Sequence, residues 1–336
     1  MRGDARRSGW RRREVGAALA LLVAAKGRAV AASDERLDRW RAEWPRTDFG
    51  RTTVPLAEIR DGGPPKDGIP AIDRPLFLPV ASPPALDDRE PVIGFGIGED
   101  RRAYPLRYLL WHEIVNDEVG GLPVAVTYCP LCNTAIVFDR RVEGRTLDFG
   151  TTGKLRRSDL VMYDRQTESW WQQYTGEAIV GAMAGRKLAM LPARLESWAE
   201  FRERAPEGRV LVPENRRLRP YGLTPYAGYD SGRVPLLYDG PLPEAVPPLA
   251  RVVVVGERAW ALDRLRERGR IEVDDLVLSW HPGQLSVLDA ERITASREVG
   301  SVRVRRRRGA ALEDVVYFVT FAFVFKAFVP DGRIEG

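Results

Sequence analysis

Pro123-Val-Ala-Val-Thr-Tyr-Cys-Pro-Leu-Cys-Asn-Thr-Ala-Ile-Val-Phe138 holds both cysteines of this 336-residue chain. A compact apolar run, Pro123 to Tyr128, leads into Cys129-Pro-Leu-Cys132, and a second strand-like run, Ala135 to Phe138, leads out. The C-x-x-C spacing lets two sulfurs share a metal or close a small disulfide ring. A thioredoxin-type site needs this motif at the start of a long helix, whose N-terminus lowers the thiol pKa. Here the residues that follow are strand-like, then come Asp139-Arg140-Arg141, a turn at Glu143-Gly144 and another strand, Arg145 to Phe149. The motif therefore reads as a tight turn between two strands, which argues against thioredoxin and makes the chain α+β, predominantly β.

Working outward, Val92 to Ile97 alternates as a strand, and Met162-Tyr163 and Trp170 to Tyr174 continue the β pattern. Helical spacing predicts helices over Tyr104–Val115 and Leu195–Arg204, the second opened by Pro192 and closed by Pro206. Upstream, an amphipathic helix over Asp34–Trp44 leads into a Pro- and Gly-rich arm through residue 90, with turn chemistry at Gly62-Gly63-Pro64-Pro65 and Pro83-Pro84. An internal echo divides the rest. Arg102-Ala-Tyr-Pro-Leu-Arg-Tyr-Leu109 resembles Arg258-Ala-Trp-Ala-Leu-Asp-Arg-Leu265; Thr127-Tyr-Cys-Pro130 resembles Ser279-Trp-His-Pro282; Val137-Phe-Asp139 resembles Val287-Leu-Asp289. The repeated order predicts a duplicated β-rich unit, residues 91–212 and a degenerate copy 213–334, with His281 standing where Cys129 stands in the first.

Residues 1–31 read as an export signal. Arg11-Arg12-Arg13, a weakly apolar stretch from Val15 to Ala25 and Ala29-Val30-Ala31 resemble a twin-arginine signal, a route that carries folded cargo to the periplasm or cell envelope. This segment has eight basic and two acidic side chains, a net of +6 against +5 for the whole chain, so the remainder is −1. The basic balance is a property of the signal and gives no support to nucleic-acid binding. The one basic run in the body, Arg303 and Arg305 to Arg308, reads as a solvated strand end. Val315 to Val329 is interrupted by Lys326 and shorter than the ~20 residues of a bilayer span, so it reads as a buried strand or short helix.

Three chemistries remain open for the cysteine turn: a structural disulfide, a metal site, and a redox or nucleophilic thiol. A metal site draws on Cys129, Cys132 and His112, with His281 in reserve and Met162 or a carboxylate as a fourth donor; such a set suits copper or zinc. A thiol enzyme uses Cys129 as nucleophile, Cys132 as resolving partner and His112 as base. Glu113, Asp117 and Asp139 are candidate acids or bases. Asp164, Arg165, Gln166, Trp170, Trp171, Gln172 and Gln173 are amides, charges and indoles of the kind that bind a sugar or another flat ligand, or else pack a core. No Gly-rich phosphate loop, Ser-His-Asp order or H-E-x-x-H zinc signature is present.

Several longer strings carry a family resemblance. They are Trp111-His-Glu-Ile-Val-Asn-Asp117, Thr127-Tyr-Cys-Pro-Leu-Cys-Asn-Thr134, Leu160-Val-Met-Tyr-Asp-Arg-Gln-Thr167, Trp171-Gln-Gln, Thr175-Gly-Glu-Ala178 and Phe321-Ala-Phe with Phe328-Val-Pro-Asp331. Together they resemble the bacterial and archaeal domain of unknown function 3179, over roughly residues 66–334. The resemblance implies an exported or lipid-anchored protein and carries no activity. Lys326 departs from it, interrupting an aromatic-alanine string that stays apolar in the family.

Overall fold

The computed structural model describes residues 35–335. The predicted export signal lies outside these residues. Two units are distinguished, one ending at Thr47 and one running from Asp48 onward. In the first, α1 (residues 35–43) is a short helix, and Trp44 N–H closes its last turn on Trp40 O at 2.8 Å.

The second unit is predominantly β. Its arm gives β1 (Ile59–Asp61) and β2 (Leu76–Pro79). Next come β3 (Pro91–Ile97), β4 (Asp100–Pro105), α2 (Leu106–His112), β5 (Ile114–Val119), β6 (Leu122–Cys129) and β7 (Thr134–Asp139). A two-stranded ribbon follows, β8 (Arg141–Val142) and β9 (Arg145–Thr146), then β10 (Phe149–Arg156), β11 (Asp159–Asp164), β12 (Trp170–Gln172) and β13 (Glu177–Val180). Then β14 (Met190–Leu191), β15 (Arg194–Ser197), α3 (Trp198–Arg204) and β16 (Arg209–Val212) complete the first half. After a long linker come β17 (Arg251–Val255), β18 (Arg258–Ala261), α4 (Leu262–Arg268), β19 (Arg270–Val273), β20 (Leu276–His281), β21 (Ser301–Arg308), β22 (Ala311–Asp314), β23 (Phe318–Phe321), α5 (Ala322–Phe328) and β24 (Arg333–Glu335).

These strands form five small sheets of four or five strands, arranged like the blades of a propeller. Two sheets share one plan. In β15-β3-β4-β16-β2 and in β23-β17-β18-β24, a central hairpin is flanked by an antiparallel strand on one side and a parallel strand on the other, and a helix joins the two flanking strands. Two others share a second plan, the meanders β14-β7-β6-β5 and β22-β21-β20-β19. In the fifth sheet, β1-β10-β11-β12-β13, the arm strand β1 pairs with β10, and the other four strands fall between β7 and β14 in the chain; this sheet has no counterpart among the described residues of the second half.

Local chemistry explains the turns. β5 and β6 close on Gly120-Gly121, both at positive φ (54° and 81°), with Val119 opposite Leu122. Two consecutive positive φ values match the right-handed twist of a hairpin, and glycine adopts them without a steric penalty. Helix α3 starts on a capping box. Ser197 Oγ accepts from Glu200 N–H at 3.3 Å and Glu200 Oε2 accepts from Ser197 N–H at 3.0 Å.

The structure revises three expectations. The helix predicted over Tyr104–Val115 is shorter, because Tyr104-Pro105 continues β4 and the chain leaves α2 at Glu113. The helix predicted over Leu195–Arg204 begins at Trp198, with Leu195 in a strand against Ile93. Both segments carry apolar residues that serve a strand and then a helix, so one periodicity cannot describe them. The third echo is not structural: Val137 to Asp139 lie in β7, whereas residues 287–289 lie in the loop before β21, the strand that matches β7. The other two echoes do coincide. Tyr128 N–H donates to Glu113 O (2.8 Å) and Trp280 N–H to Gly269 O (2.9 Å), which sets Cys129 against His281.

Val315–Val329 contains both expected elements, β23 and then α5, and no described helix is long and apolar enough to cross a membrane. Lys326 sits in the last turn of α5, where its ammonium donates to Gly332 O (3.1 Å) and Pro330 O. Both carbonyls lie in the turn after α5, so the departure from the apolar string ties that turn back to the helix.

Candidate functional site

The cysteine turn spans residues 130–133, between β6 and β7, with Cys129 opposite Thr134. Cys132 N–H donates to Cys129 O at 3.3 Å and Asn133 N–H to Pro130 O at 3.2 Å. Asn133 has φ 51°, a left-handed conformation that asparagine tolerates better than most residues. The second half fixes the turn from outside. The Cys132 carbonyl accepts from Phe321 N–H (3.1 Å) and from Thr320 Oγ1 (3.0 Å). Tyr229 of the linker donates its hydroxyl to Leu131 O at 2.8 Å.

Both thiols point into the interior, where the inserted sheet meets them. Cys132 Sγ lies 3.4 Å from Ser158 O and Cys129 Sγ 3.9 Å from it. The next residue, Asp159, opens β11 and is fully buried. The two sulfurs and an Asp159 carboxylate oxygen all lie within 4.8 Å of one another. Asp159 Oδ1 accepts from Gln172 Nε2 (2.6 Å) and Tyr174 N–H (2.9 Å). Asp159 Oδ2 is buried, and the thiols of Cys132 and Cys129 are hydrogen-bonding neighbours of the carboxyl.

Burial dominates the electrostatics. It pushes both thiols above their usual range, Cys132 further, and the Asp159 carboxylate adds to the shift of each. It lifts Asp159 to about 6 against the hydrogen bonds from Tyr174 and Gln172, and Glu113 to about 8 with Asp159 adding to the shift. Each charged form is disfavoured because water is excluded and like charges are near. Such a cluster gains from any cation that takes the place of its protons.

The remaining candidates are dispersed. His112 is held at both ring nitrogens, Nδ1 by Pro70 O and Nε2 by Tyr221 Oη, each at 2.7 Å, and it lines a separate cavity with Pro213 and Tyr221. Its pKa is lowered, first by burial. His281 is exposed, with Nε2 3.2 Å from Ser279 Oγ, beside Glu200 and Arg303 in another cavity. Met162 is buried in β11 opposite Trp171. Asp139 is ion-paired with Arg141 at 2.7 Å, which holds its pKa down, and Asp117 accepts from Arg102 and from Tyr104, both at 2.6 Å.

The polar turn after β11 is self-contained. Asp164 accepts from Thr167 N–H (2.6 Å) and Trp171 Nε1 (2.9 Å), Arg165 pairs with Asp73 (3.1 Å), and Gln166 Nε2 donates to Asp148 (2.8 Å). Trp170 and Trp171 are fully buried, stacked edge-on with Phe49 and Phe149. Gln173 donates to Thr127 Oγ1 at 2.9 Å. Gln172 is the member of this group that reaches the cysteine site, through Asp159. Asp159 itself carries no spacing signal in the sequence, since the inserted sheet brings it to the turn.

Beside the cluster lies a cavity of about 290 Å³ whose wall includes Cys129 and Glu113. The protein family described as "Protein of unknown function (DUF3179)" matches residues 66–332. Nothing among the curated proteins matches the chain, and no solved structure does. The long motifs shared over most of its length show that the chain belongs to the family of domain of unknown function 3179.

Proposed function

We propose that this is an exported metal-binding protein whose ion is held by Cys129, Cys132 and Asp159. The carrying observation is the convergence of two sulfurs and one carboxylate oxygen, from two separate segments, within 4.8 Å. Metal–sulfur bonds of about 2.3 Å in a tetrahedron place sulfurs roughly 3.8 Å apart, a separation inside the 4.8 Å within which the three donors lie. Two thiolates and a carboxylate suit zinc better than copper(I), which prefers soft ligands throughout. Three protein donors leave a fourth position, the pattern of a zinc site that admits water or a ligand.

Supporting this reading, the site sits where a folded scaffold converges on it, and a twin-arginine type of signal carries folded cargo to the cell envelope. The shared sheet plans further support the reading that residues 91–212 and 213–334 arose by duplication. The second copy has His281 at the Cys129 position and no inserted sheet, so only the first retains the donor set.

Native mass spectrometry of the exported protein tests both points. The expected result is a mass lacking the signal and carrying one zinc, with the zinc lost in Cys129→Ser and Asp159→Asn. A folded wild type that takes up no zinc under reducing conditions would sink the metal reading. A metal-free mass two hydrogens light would instead support a Cys129–Cys132 disulfide, the second reading that this cysteine spacing favours.

A further inference from the structure

The cavity beside the cysteines is built from five separate stretches of chain. The arm supplies Pro64, the inserted sheet Lys154 and Leu160, and the linker between the halves Tyr226 and Leu236, while Glu113 and Cys129 complete the wall. The linker is tied down across it, since Ser158 Oγ donates to Leu236 O at 2.7 Å. A volume near 290 Å³ is at the small end of the ~300–1,000 Å³ typical of ligand pockets.

Glu113 is the unusual residue of this wall. It caps α2 at φ 57°, ψ −31°, and the matching cap of α4 is Gly269 at φ 68°, ψ −36°. A β-carbon in this region costs on the order of 1 kcal/mol, which glycine avoids. The first half bears that cost and places a carboxyl group in the cavity. Glu113 is 7% exposed as a residue, and its carboxyl makes no hydrogen bond to another described residue. Two other polar groups of the wall are engaged: Thr151 Oγ1 donates to Ile69 O at 2.7 Å, and Lys154 pairs with Asp61 at 3.1 Å. Strain at a non-glycine residue, joined to a buried polar group without a partner, points to a ligand that supplies the partner.

We infer that the cavity binds a small, uncharged, chiefly apolar molecule with one hydroxyl or carbonyl head group, which hydrogen-bonds to the Glu113 carboxyl. The apolar walls take the carbon chain. A charged head would have to shed its water among apolar walls, and Lys154, the cation of the wall, is already paired with Asp61. The pocket does not depend on occupation of the three-donor site.

Titration calorimetry with 1-hexanol, hexylamine and hexanoate tests this on the signal-free chain, in wild type, Glu113→Gly and Leu236→Trp. Leu236 is half exposed, so the larger ring can fill the cavity from its rim without rebuilding the core. Saturable 1:1 binding of hexanol is expected, at least about tenfold tighter than either charged analogue. Glu113→Gly should weaken it about tenfold while melting at or above the wild-type temperature, and Leu236→Trp should abolish it in a folded protein. No saturable hexanol binding to folded wild type, unchanged affinity in Glu113→Gly, or tighter binding of a charged analogue would overturn the proposal. Zinc content measured on the same samples separates the two readings: a zinc-free protein that binds hexanol refutes the metal centre and upholds the pocket.

Discussion

Replacing Glu113 by glutamine should remove a pH dependence that the buried carboxyl builds into the fold. Burial lifts Glu113 to about 8 in the native protein, from an ordinary glutamate value of 4.5. Its folded pKa is raised, so the native state holds a proton that the unfolded chain has already released. The stabilisation is complete below the unfolded value and is lost as pH rises through the folded one. A difference of 3.5 units at about 1.4 kcal/mol each amounts to roughly 5 kcal/mol between the two limits. Asp159 acts with the same sign, but its folded value of about 6 completes its loss at lower pH. From about pH 6 to about pH 8 the remaining slope belongs mainly to Glu113, and wild type should lose about 2–3 kcal/mol. With a urea m-value of about 3 kcal/mol/M, the midpoint falls by about 1 M. The assay is urea unfolding of chelator-treated, reduced protein at both pH values. Glu113→Gln keeps the shape and cannot ionise, so its midpoint should be nearly flat over that range. An equal drop in both proteins, or none in wild type, would refute the assignment of a buried, protonated Glu113.

Other consequences follow from single contacts. Arg251→Ala should destabilise by about 3–5 kcal/mol in thermal or urea unfolding, because fully buried Asp230 loses its 2.5 Å partner and retains Ser286 and the more exposed Arg297. Ser197→Ala should cost about 1 kcal/mol by opening the α3 capping box, read as a lowered melting temperature. Lys326→Met should restore the apolar string and still lose about 0.5–1 kcal/mol in urea unfolding, since the Pro330 and Gly332 carbonyls of the turn after α5 lose their donor.

The cysteine turn was legible because two apolar strand-like runs flank four residues too few for anything but a turn, and the structure has β6 and β7 there. The shared sheet plans were foreshadowed by two of three short echoes. Those two echoes fall on residues that repeat the same backbone contacts, Tyr128 to Glu113 and Trp280 to Gly269. The third did not survive, because matching letters in a loop carry no register. The strand-to-helix switches at Pro105, Ser197 and Phe321 were blurred, since apolar residues on both sides of each switch enter the same core.

Sequence by itself determined the predominance of strands, the turn that holds both cysteines and the family, because each rests on residues adjacent in the chain. Which side chains join the cysteines was decided by the tertiary structure. The strands inserted between β7 and β14, β10 to β13, carry Asp159 to the two sulfurs and Gln172 to Asp159. The nearby His112 instead turns both nitrogens toward Pro70 and Tyr221. Strand pairing sets these distances through registers between distant segments, and no spacing along the chain records them.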